Sequence, residues 1–81
     1  MELKQLAYGI WTIYYNGRPQ GTIQDHDKEW VLNIHYKAYD IPKEWYTKEE
    51  LKDLVRRMIE WNALEVYSEE RAIRRGFKII G

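Results

Sequence analysis

Residues 47–61, TKEELKDLVRRMIEW, constrain the fold more than any other stretch, because they join a complete helix-start signal to an apolar stripe at helical spacing. Thr47 stands at the N-cap position and Glu50, three residues on, can return a hydrogen bond to it, while Tyr46 and Leu51 take the flanking staple positions. Leu51, Leu54, Val55, Met58, Ile59 and Trp61 then fall on one face of an amphipathic helix. Such a face has to be covered. At 81 residues the chain has room for one modest core. The stretch before the helix reads as a small antiparallel sheet, so the expectation is a single α+β domain over residues 1–81 in which helix covers sheet.

The sheet begins with residues 6–15, LAYGIWTIYY, rich in aromatic and β-branched side chains and followed by Asn16-Gly17, a strong hairpin signal. A two-residue turn there pairs Tyr15 with Arg18, Thr12 with Gly21 and Ile10 with Ile23; a longer loop over residues 17–20 is the competing reading. Pro19 has no N–H and belongs near a frayed or edge position. After the polar turn of residues 25–29, DHDKE, residues 30–39 alternate cleanly: Trp30, Leu32, Ile34 and Tyr36 on one side, Val31, Asn33, His35 and Lys37 on the other. This register makes Ile10, Ile23, Leu32 and Ile34 one apolar face toward the helix. Pro42 ends the third strand.

Beyond Trp61 the apolar stripe fails, since Asn62, Glu65 and Glu69 would occupy its centre, and a break near Asn62 is expected. Residues 63–67 read as a link. Ser68 opens a short second helix with acids first and arginines last, Gly76 closes it, and Phe77 to Ile80 offer a fourth strand. The expected fold is therefore α+β: a three-stranded antiparallel sheet, extended to four if the tail returns, packed on one amphipathic helix, with a short second helix near the C-terminus.

Chemistry-bearing groups are sparse. The chain has no cysteine, which removes disulfides, thiolate metal sites and a cysteine nucleophile. Asp25, His26, Asp27 and Glu29 are metal-ligating types, but neighbours on one turn seldom converge and the other histidine, His35, lies far along the next strand. No hydroxyl sits in a nucleophile-elbow or phosphate-loop context, so His35 has no set to act with as a general base. The expectations are a chain that is not an enzyme, with no catalytic residues, no metal and no small-molecule cofactor.

Thirteen basic and thirteen acidic residues cancel, which argues against a surface built wholly for a polyanion. One basic region stands out at residues 68–81, where Arg71, Arg74, Arg75 and Lys78 face only Glu69 and Glu70. No apolar run reaches membrane-spanning length and the first residues lack a secretory signal pattern, so a soluble cytoplasmic protein is expected.

The face opposite the expected core carries Trp11, Ile13 and Tyr15 beside Thr22, Val31, Asn33 and His35, and is too aromatic for an ordinary wet surface. Either the tail folds over it as a second layer or it is an interface. The leading reading is a small interaction module that binds a protein, or another copy of itself, through Trp11, Ile13, Tyr15 and His35. The alternative is a nucleic-acid-binding domain, with sheet aromatics stacking on bases and Arg71, Arg74, Arg75 and Lys78 contacting phosphates.

Overall fold

The Asn16-Gly17 turn forms as its sequence implies. Both residues have positive φ, 53° and 76°, and Tyr15 pairs with Arg18 across it, as a type I′ hairpin requires. Around it, the computed structural model, which describes residues 1–80 and the side chains of residues 1–74, has more strands than the alternation suggests. Strands β1 (Glu2–Ala7), β2 (Ile10–Tyr15), β3 (Arg18–Asp25), β4 (Glu29–Ile34) and β5 (Lys37–Pro42) make a five-stranded antiparallel meander in sequence order. A single 3-10 turn, Lys43–Trp45, leads to helices α1 (Lys48–Glu60) and α2 (Ala63–Ile80). Three or four strands with one main helix and a short second one was therefore an underestimate.

Both additional strands arise from hairpins inside stretches that read as continuous. Tyr8 and Gly9 turn the chain between β1 and β2, with Gly9 at φ 71°. His35 and Tyr36 turn it between β4 and β5, at φ 52° and 61°. Neither of the latter is the glycine or asparagine that such a turn ordinarily recruits. A two-residue turn puts its flanking residues opposite each other, so Lys37 shares the face of Ile34, and Tyr39 and Ile41 join that face in place of Tyr36.

A bulge decides which face of β2 is buried. Tyr14 pairs with Pro19 but Ile13 pairs with Gly21, leaving Gln20 as the extra residue. Beyond it the register is one residue off the simple hairpin extrapolation: Thr12 meets Thr22 and Trp11 meets Ile23. Because side chains alternate with period two, that single slip exchanges the faces of β2. Ile13, expected outward, is fully buried with Ile23, Leu32, Ile34, Tyr39 and Ile41. Ile10, expected inward, is half-buried and shares the other face with Thr12, Gln24 and Val31. The pairing of Ile23 with Leu32 is as expected. Gly21 is obligatory at the bulge, since a Cβ there would lie 1.9 Å from the Asn33 carbonyl oxygen.

Backbone contacts divide the chain into two units, Met1–Tyr46 and Thr47–Gly81. In the second, the helix start of α1 has the full reciprocal cap: the Glu50 N–H donates to Thr47 Oγ1 at 3.2 Å and the Thr47 N–H donates to Glu50 Oε1 at 3.0 Å. Leu51, Leu54, Val55 and Met58 are buried, whereas Trp61 caps the helix C-terminus and is 79% exposed instead of completing the stripe. The break at Asn62 is present, but the chain beyond it does not form the expected link, short helix and strand. Asn62 Oδ1 accepts from the Glu65 N–H at 3.0 Å and starts one continuous helix that runs through Ser68, Gly76 and the stretch expected as a fourth strand. Its stripe is partly ionic: Arg57 of α1 reaches Glu70 at 3.3 Å, and Arg74 reaches Glu50 at 2.9 Å and Glu70 at 3.9 Å. These charge pairs are a part of the helix-to-helix contact that an apolar-periodicity search does not register. No helix among the described residues is long and apolar enough to cross a membrane.

Candidate functional site

The most exposed aromatic surface of the sheet unit is the β4–β5 tip. Tyr36 is as exposed as a free residue, and it is held there by a backbone conformation that a bulky L-residue enters at a cost of about 1 to 2 kcal/mol. His35 beside it is also exposed and also left-handed. An aromatic pair at a position where Asn-Gly would be easier is an outlier that asks for a reason beyond folding.

At the foot of this tip lies an open depression lined by Gln20, Thr22, Asn33, His35, Tyr36 and Lys37. The Gln20 bulge forms one wall, and the missing side chain of Gly21 lets β3 approach β4 there. The lining offers two carboxamides, two hydroxyls, an imidazole and an ammonium group, which together can donate to and accept from a peptide backbone. It contains no carboxylate and no nucleophile paired with a base. Among the described residues no three His, Asp or Glu side chains are grouped to hold a metal ion.

Groups with clearly shifted acidity belong to helix structure. The Glu50 carboxyl is held below its ordinary value chiefly by the Thr47 backbone N–H and then by Arg74. Asp53 is lowered first by its hydrogen bond to Arg56, and the Arg56 guanidinium is raised by the same bond. Arg56 also reaches Glu60 at 2.7 Å, and Arg57 reaches Asp53 at 3.0 Å. These are exposed i, i+3 and i, i+4 pairs with no acid or base poised for proton transfer.

The expected partner-binding residues are not brought together. Trp11, Ile13 and Tyr15 share the face that carries the buried residues, with Ile13 inaccessible and the two aromatics half-buried, while His35 has left the sheet face for the turn. Of the basic candidates, Arg71 donates to the Tyr67 hydroxyl at 2.8 Å and Arg74 is engaged by Glu50 and Glu70. The side chains of Arg75 and Lys78 lie outside the described residues. Alternation assigned Tyr36 to the core; the signal that could have exposed it is the fit of a two-residue turn between Ile34 and Lys37, which keeps Leu32, Ile34, Tyr39 and Ile41 on one face. Comparison with protein-family models, curated proteins and solved structures finds no match to this chain.

Proposed function

We propose that this chain is a non-enzymatic interaction module that binds a protein through the β4–β5 tip, with Tyr36 as the anchor and the depression beneath it as the polar surround. The observation that carries this reading is Tyr36 itself, fully exposed at φ 61°. Aromatic anchors ringed by hydrogen-bonding groups are the usual energetic centre of a protein interface. Fixing the anchor in the free protein lowers the ordering cost of binding.

Charge favours a protein over a polyanion. In the sheet unit Lys4, Arg18, Lys28, Lys37 and Lys43 are outnumbered by Glu2, Asp25, Asp27, Glu29, Asp40 and Glu44, so Lys37 is the one full positive charge lining the tip and the unit as a whole supplies little attraction to phosphates. The engagement of Arg71 and Arg74 within the chain also weakens the nucleic-acid alternative.

The test is quantitative capture from an extract of the cells that make the protein, comparing wild type with the His35→Asn/Tyr36→Gly double variant. The tip should then keep its turn but lose its rings. A protein retained by the wild type and lost with the variant supports the reading. Equal retention by both, or retained material that nuclease removes, overturns it.

A further inference from the structure

We propose that the corner between α1 and α2 is a second binding site, one that takes a lysine or arginine side chain from a basic segment of a protein partner. It rests on residues other than those of the hairpin tip. A depression there is walled by Trp61, Asn62, Glu65, Val66, Glu69 and Arg57. Trp61 is 79% exposed because α1 ends on it with φ −116° and ψ −122°, which takes the indole off the stripe that buries Leu54 and Met58. Asn62, Glu65, Val66 and Glu69 then recur at i, i+3, i+4 and i+7 along the first two turns of α2, so one helical ridge builds the opposite wall.

Electrostatics identify the occupant. Arg57, the cation of the lining, is already held by Asp53 at 3.0 Å and Glu70 at 3.3 Å. Glu65 and Glu69 have no ion-pair partner among the described residues. Attraction to the helix dipole explains an acid at Glu65, in the first turn of α2, but fades before Glu69. An aliphatic wall at Val66, an indole face at Trp61 and two uncompensated carboxylates one turn apart match the methylene stem and charged head of a basic side chain. An apolar occupant would displace water from the two exposed carboxylates without replacing its hydrogen bonds, and an acidic one would be repelled.

The test titrates the full chain at low salt with N-acetylated, C-amidated tetralysine, following the Trp61 indole N–H resonance assigned from Trp61→Phe. A saturable shift of that resonance is expected. Glu65→Gln/Glu69→Gln, with helical content checked by circular dichroism, should weaken binding at least tenfold, and Trp61→Ala should weaken it comparably. Glu49→Gln, an acid in the first turn of α1, should leave it within about twofold. The proposal is overturned if the double variant binds as the wild type does, or if tetralysine moves other resonances and leaves Trp61 still. It is also overturned if the Trp61 resonance moves with protein concentration without peptide, since a second copy would then be the occupant.

Discussion

Replacing Ile13 and Ile10 separately by alanine tests the bulge that exchanges the faces of β2. Ile13 has no accessible surface, whereas Ile10 is half-buried on the opposite face. Ile→Ala removes three carbons, and at about 0.8 kcal/mol per buried carbon the transfer loss at Ile13 is about 2.4 kcal/mol. The cavity left among Ile23, Leu32 and Ile34 raises the cost to about 3 to 4 kcal/mol, because a tightly packed sheet face relaxes only in part. At Ile10 about half the transfer loss applies and solvent fills the space, so about 1 kcal/mol is expected. In urea, with a slope of about 1 to 2 kcal/mol per M for a chain this small, Ile13→Ala should lower the midpoint by about 2 M and Ile10→Ala by less than about 1 M. Equal losses, or a larger one at Ile10, would refute the register and restore the regular hairpin.

Other outcomes rest on backbone and charge. Gly21→Ala should cost more than about 2 kcal/mol, because its Cβ meets the Asn33 carbonyl; Gly17→Ala, with open space but φ 76°, should cost about 1 kcal/mol, and thermal denaturation of the pair ranks them. The His35→Asn/Tyr36→Gly variant should match or exceed the wild type in stability by up to about 1 kcal/mol, since the new residues suit the turn; a clear loss would show that the rings stabilise the fold. Glu50 and Asp53 have lowered pKa values when folded, so their contribution is complete above their ordinary values of 4.5 and 3.8 and is lost as pH falls through the lower folded values. Helical circular dichroism should therefore fall as acid is added below pH 4.5, and Glu50→Gln should flatten that dependence.

What could be read from the residues was local chemistry with a standard signature. The Thr47 capping box, the Asn16-Gly17 turn, the DHDKE turn and the break at Asn62 each depend on a few adjacent side chains, and each is present. Hidden features depended on backbone geometry or on partners distant in sequence. The Gln20 bulge leaves no composition mark beyond Pro19 and Gly21, yet it turned Ile13 from surface to core. Strand β1 is a polar edge held by backbone hydrogen bonds, so it lacks the apolar alternation of an inner strand. Helix α2 was cut short because Asn62, Glu65 and Glu69 fall where the apolar stripe of α1 would continue and Ser68 and Gly76 look like helix ends, whereas ion pairs of Glu70 and Arg74 with α1 depend on partners distant in sequence. The candidate site was the least legible part, since His35 and Tyr36 occupy a turn against their own preference and alternation carried straight through them.

The most direct measurement of the proposed function is site-specific photocrosslinking in the cells that make the protein, with benzoylphenylalanine in place of Tyr36 and, as control, in place of Lys52 on the exposed side of α1. The account predicts a discrete protein adduct from position 36 that is absent from position 52. It also predicts that unlabelled wild-type protein competes for that adduct and that the His35→Asn/Tyr36→Gly variant does not. Adducts of equal yield and pattern from both positions, or crosslinking at position 36 to nucleic acid alone, would contradict it.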